Sequence, residues 1–70
     1  MEKKSINRIK AVLADKNKTN NWLAGQLKKN KSTVSKWCTN DMQPTMETLI
    51  EIANVLEVDV RDLLKSTKEL

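Results

Sequence analysis

Between Thr19 and Trp37, two apolar stripes at helical spacing lie so close together that they leave room only for two short helices and a tight turn. Leu23, Ala24 and Leu27 recur at one-, three- and four-residue intervals, and so do Val34, Trp37 and Cys38, which is the repeat of one buried helix face. Each stripe is preceded by a residue type that caps helices, Thr19 for the first and Asn30 for the second. The pattern predicts helices over about Asn20–Lys28 and Lys31–Thr39, joined by a turn of about three residues. Ala24 is small enough for another helix to cross closely there.

The rest of the chain extends the same grammar. Ile6, Ile9, Val12 and Leu13 predict a first helix from about Ser5 to Lys16, with Ser5 as N-cap and Asn17 as a left-handed terminator. Asp41 to Pro44 reads as a loop. A fourth helix is expected after Thr45 to about Leu56, burying Met46, Leu49, Ile52, Ala53 and Leu56. Asp59 then caps a short fifth helix containing Val60, Leu63 and Leu64. The chain has one Gly and one Pro, and no Tyr or Phe. Helix formers dominate, so the expected fold class is all-α with five helices, in one domain spanning 1–70 with its core over about 6–65. Trp37, Cys38, Met42 and Met46 read as packing residues, and Trp22 as half-buried.

Charge is unevenly placed. Residues 1–40 carry ten Lys or Arg against two acids, whereas residues 41–70 carry three against seven. The basic part implies a polyanionic partner. At 100° per residue, Ser32, Lys36 and Thr39 lie opposite the stripe of Val34, Trp37 and Cys38. No acid occurs from Lys28 to Lys36. Such a face suits the major groove of DNA: lysine donates to guanine O6 and N7, and serine bonds several base edges. Lys31, Ser32, Ser35 and Lys36 are therefore the candidate base readers. Phosphate contact is expected from Thr19, Asn21, Lys28 and Lys29, and from Thr39 and Asn40 just beyond the reading helix.

The ordered set Leu23-Ala24-x-x-Leu27, then Asn30-Lys31-Ser32-Thr33-Val34-Ser35-Lys36-Trp37, then Gln43-Pro44-Thr45-x-Glu47-Thr48-Leu49-x-x-Ile52-Ala53-x-x-Leu56-x-Val58 resembles the lambda repressor/Cro-type helix-turn-helix family, also called the XRE family. The resemblance runs from about Arg8 to Leu64. It implies a five-helix DNA-binding fold whose third helix enters the major groove. Transferred by position, it places Lys31, Ser32 and Lys36 at base-contacting sites, Asn20 at a base or phosphate contact, and Thr19, Thr39 and Asn40 near the backbone. The chain departs from the family where Lys28 stands for a usual Gly, Lys29 for a hydrophobic residue, Cys38-Thr39-Asn40 for a Glu-Arg-Gly type ending, and Glu57 for another common Gly.

The implied partner is a double-stranded DNA operator bound by a homodimer, with half-site centres about 34 Å apart. Ile50, Leu64 and Leu70 are the candidate dimer surface. The alternative is an antitoxin or adaptor-type module whose acidic second part docks a protein. One Cys and no His leave no intrachain disulfide and too few soft ligands for a zinc site. No phosphate-binding glycine loop and no nucleophile–base pair is evident, so neither catalysis nor a cofactor is expected. Without an apolar run of membrane-spanning length or a leader-like start, the chain is expected in the cytoplasm, on the nucleoid when bound.

Overall fold

The computed structural model describes residues 5–66 and Lys68. Among the described residues four α-helices follow one another: α1 (Ile9–Asp15), α2 (Asn20–Leu27), α3 (Lys31–Cys38) and α4 (Met46–Leu56). A 3-10 turn, Val60–Leu63, comes after them. The chain is thus an all-α helix-turn-helix unit, but the expected fifth helix is only this turn. The cause is Leu64, whose backbone is extended and forms an isolated antiparallel bridge with Asn7. That pairing draws the chain out of helical geometry after Leu63.

The apolar stripes meet in one core: Ile9, Val12 and Leu13 from α1, Leu23, Ala24 and Leu27 from α2, Val34, Trp37 and Cys38 from α3, Leu49, Ile52, Ala53 and Leu56 from α4, and Leu63 from the turn. Trp22, Val55, Val58, Val60 and Leu64 pack against it, partly buried. Of all the element pairs, α2 and α3 make the most extensive contact. Burying a side chain of this size contributes about 1.5–3 kcal/mol each, and the close fit of α2 on α3 fixes how the second helix of the pair is presented.

Four side-chain caps sit where residue type predicts them. The side chains of Thr19, Asn30, Thr45 and Asp59 accept from the backbone N–H of Trp22, Ser32, Thr48 and Arg61 respectively. The helix ends share one device. Asn17, Lys28, Asn40 and Glu57 all take positive φ, between 55° and 62°. The next residue's N–H then reaches back five positions: Lys18 to the Leu13 carbonyl, Lys29 to Ala24, Asp41 to Lys36 and Val58 to Ala53, all at 2.9–3.0 Å. This is the Schellman closure, normally built on glycine. The only glycine in the chain, Gly25, instead stands inside α2.

Lys28 and Glu57 therefore hold left-handed backbone at a cost of roughly 1 kcal/mol each, while Asn17 and Asn40 tolerate it better. Lys28→Gly is expected to raise the melting temperature by roughly 4–8 °C in a thermal scan. A lower melting temperature would mean that the Lys28 side chain stabilises the turn by more than its backbone strain costs.

The start of the chain departs from its apolar pattern. Residues 5–8 are not helical, Ser5 is no cap, and Ile6 is 37% exposed instead of joining the buried stripe. The segment is held extended because Arg8 N–H donates to the Leu63 carbonyl (2.7 Å) and Lys65 N–H to the Ile6 carbonyl (2.9 Å). The N-cap position is Arg8, whose own side chain makes no capping bond, and Asn7 just before it stands in, its Oδ1 accepting from Ile9 N–H at 3.1 Å. Met46 and Met42, which read as packing residues, are 64% and 48% exposed. The apolar face of α4 thus leaves Met46 exposed at its first turn, and burial within the helix begins at Leu49.

Candidate nucleic-acid interface

The α3 helix divides cleanly. Val34 is fully buried and Trp37 and Cys38 nearly so, at 5% exposure each. Lys31, Ser32, Lys36 and Thr39 are exposed, while Thr33 and Ser35 are half-buried. The inward residues fix the rod by packing, so the outward ones can protrude without loosening it. Burial pushes the Cys38 thiol up, despite the opposing charge of Lys10, and keeps it protonated. It is held as a small apolar filler.

Lys28, Lys29, Lys31 and Lys36 are all exposed and form no ion pair with any described residue. Their charge is left available to an external anion. At the start of α2, Thr19 and Asn21 are exposed and Asn20 is half-buried. The Thr19 hydroxyl oxygen is engaged by Trp22 N–H at 3.0 Å. Trp22 also carries the Lys18 ammonium 4.8 Å from its ring centre, a cation–π contact that ties the α1–α2 loop to α2.

Thr39 and Asn40 are placed differently from the lysines, because their side chains are engaged within the chain. The Thr39 hydroxyl lies 2.8 Å from the Asp41 carboxylate and 3.2 Å from the Ser35 carbonyl. Asn40 Oδ1 accepts from the N–H groups of Ile6 and Asn7, both at 2.9 Å, and from Gln43 Nε2 at 3.0 Å. Its Nδ2 donates to the Asn7 carbonyl at 3.3 Å. A phosphate contact from either side chain would compete with these bonds.

Asn7 completes the cluster, and no sequence pattern singles it out. It is 3% exposed and its Nδ2 donates to the Trp37 carbonyl (2.9 Å) and to Gln43 Oε1 (2.7 Å). The C-terminal end of α3 is thereby pinned to the first described residues of the chain, which are themselves paired to residues 63–65. Asp41, the first acid after the basic part, lies at this same end of α3.

A shallow concavity of about 140 Å³, lined by Lys16, Lys18, Trp22, Val55, Leu56 and Glu57, is smaller than the roughly 300–1,000 Å³ of small-molecule sites. Among the described residues, no helix is long and apolar enough to cross a membrane.

Comparison with known proteins agrees with this geometry. No curated protein sequence matches the chain. A crystal structure of a Bacteroides fragilis protein, described as a candidate DNA-binding protein, superposes with a TM-score of 0.84 at 48% sequence identity, covering 86% of this chain and 97% of that one. The Cro/C1-type helix-turn-helix DNA-binding domain matches residues 8–69. With α2 and α3 forming the two helices of the motif and basic residues exposed on the second, the chain belongs to the Cro/C1-type (XRE) helix-turn-helix family of DNA-binding domains.

Proposed function

We propose that this domain recognises a specific duplex operator by inserting the exposed face of α3 into the major groove, and that it regulates transcription as a homodimer on a two-fold-related site. The observation that carries this reading is the exposed basic surface of Lys28, Lys29, Lys31 and Lys36, ion-paired with no described residue, around a helix anchored by Val34 and Trp37. Lys31, Ser32, Ser35, Lys36 and Asn20 are the proposed base readers; Thr19, Asn21, Lys28, Lys29, Thr39 and Asn40 are the proposed phosphate contacts. Thr39 and Asn40 serve chiefly by placing the end of α3, given their internal bonds. Ile50, half exposed on α4, is the proposed centre of the dimer contact. Leu64 is partly buried against the core, and Leu70 lies outside the described residues.

Gel shift and fluorescence anisotropy on a selected operator test the assignment. Lys36→Ala weakens specific binding by roughly 1–3 kcal/mol and relaxes preference at one base position. Lys29→Ala weakens all sequences alike and lowers the salt slope by about 1. Equal effects of the two variants on preference would show that the reading face is misassigned.

A second reading has its own observation. Met46 and Ile50, one turn apart on α4, are exposed with Glu47 and Glu51 next to them in the chain, and Met42 is exposed in the preceding loop, all in the part of the chain that follows the basic cluster. In that reading the domain is an antitoxin or adaptor-type module that docks a protein. Absence of DNA binding at low salt favours it over the first.

A further inference from the structure

The first turn of α3 contains a pair of side chains whose hydrogen-bonding polarity is fixed by the fold. Asn30 Oδ1 accepts from Ser32 N–H at 2.8 Å and from the Ser32 hydroxyl at 2.7 Å. A backbone N–H can only donate, so the amide atom facing it must be the oxygen, and the orientation of the Asn30 amide is settled by chemistry. A serine hydroxyl has a single hydrogen, and here it is directed to Asn30. What remains on Ser32 Oγ is acceptor capacity alone. Asn30 Nδ2 keeps two hydrogens with no partner among the described residues, and both side chains are exposed. A free serine donates or accepts as its surroundings require and discriminates poorly. This one is held as an acceptor, next to a held donor.

The four base edges of the major groove answer such a pair differently. Guanine offers two acceptors, N7 and O6, and would set O6 against the lone pairs of Ser32. Thymine offers an acceptor and a methyl group. Cytosine offers an amino donor with no acceptor beside it. Adenine offers the N6 amino donor next to the N7 acceptor. A lone asparagine reads adenine with both ends of its own amide, but in this chain the oxygen end is already occupied by Ser32. We propose that Asn30 and Ser32 read adenine jointly. Ser32 Oγ accepts from adenine N6 and Asn30 Nδ2 donates to adenine N7, making adenine the specified base opposite the start of α3. The inference rests on the reading of α3 as the DNA-reading helix and adds Asn30 to its specificity-determining residues.

The test begins with operator selection from random duplex DNA by the full chain, followed by base analogues at the adenine that Ser32→Ala relaxes. With the unsubstituted protein, 2-aminopurine, which lacks the 6-amino group, and 7-deazaadenine, which lacks N7, each weaken binding by about five- to tenfold. Ser32→Ala makes adenine and 2-aminopurine equivalent while leaving the 7-deazaadenine penalty. Asn30→Asp keeps the two acceptor bonds to Ser32 but has no amide hydrogens. It makes adenine and 7-deazaadenine equivalent, and because this is a ratio, a uniform loss from the added negative charge does not alter it. The analogue series on the unsubstituted protein needs no variant to fold. Guanine or thymine at the position relaxed by Ser32→Ala, or analogue penalties below about twofold, overturns the assignment while the reading of α3 stands if Lys36→Ala still relaxes its own position. Failure of any sequence preference to emerge overturns both.

Discussion

Replacing Trp37 with alanine lowers the melting temperature by roughly 15–30 °C and abolishes operator binding at physiological temperature. Trp37 is 5% exposed and stands at the centre of the only inward face of α3. Truncating a buried Trp costs about 3–5 kcal/mol, through lost burial and the cavity left behind. A domain of this length has about 4–10 kcal/mol of total stability to lose. The lost binding is therefore a loss of fold, although Trp37 touches no DNA in the proposed arrangement. Circular dichroism and anisotropy followed together over temperature separate the two causes. On cooling below the new midpoint, helicity and operator binding return in parallel. Trp37→Phe, which keeps an aromatic ring in the site, shifts the midpoint much less. A melting temperature within a few degrees of the parent for Trp37→Ala would remove Trp37 as the anchor of the reading helix. Binding lost by a protein that remains folded would instead place Trp37 at the interface.

Residues repeated along a helix, and residues acting alone at its caps, are legible in the sequence. Leu23, Ala24 and Leu27, or Val34, Trp37 and Cys38, declare their face by spacing, and Thr19, Asn30, Thr45 and Asp59 declare their caps by side-chain type. The left-handed ends at Asn17 and Asn40 are legible for the same reason, because asparagine tolerates that backbone. What spacing cannot carry is contact between distant segments. Ile6 falls in register with Ile9 and Val12, yet the backbone around it is recruited by residues 63–65 and leaves the helix. Ser5 is a good cap by type, but the pairing of residues 6–8 with residues 63–65 delays the helix to Ile9, and the side chain of Asn7 takes the Ile9 N–H instead. Met46 is in register with Leu49, but register does not say where the neighbouring helices end. At the interface, the lysines are legible as an acid-free basic run. The occupied state of Thr39 and Asn40, and the fixed polarity of Ser32, are not, since each depends on which atom a polar group finds nearby.

Asn7→Leu is expected to cost about 3 kcal/mol, from a position that the apolar pattern places inside the first helix with no role of its own. The substitution keeps the forked outline of the side chain, with somewhat bulkier methyl ends, but removes every hydrogen bond the Asn7 amide makes. Ile9 N–H loses its cap, and Gln43 Oε1 and the Trp37 carbonyl lose the Asn7 amide. The Trp37 carbonyl keeps Asn40 N–H at 3.1 Å, so the end of α3 is weakened and not dismantled. Hydrogen exchange reads this locally. The amides of Arg8 and Lys65, which bond across between residues 6–8 and 63–65, should exchange much faster, while those in the middle of α2 and α3 follow global stability. Asn7→Asp provides the control on mechanism. Its carboxylate would still accept from Ile9 N–H, but it would face two acceptor oxygens while buried, so its neutral acid is favoured in the fold. The destabilisation is then larger at neutral pH than near about pH 4, where the protonated form regains one donor. Operator affinity of either variant, measured where it remains folded, should fall by less than that of Lys36→Ala, because no exposed residue of α3 is altered. An Asn7→Leu chain with unchanged exchange at Arg8 and Lys65 would show that backbone pairing alone holds the start of the chain, and that the buried amide contributes nothing to placing the reading helix.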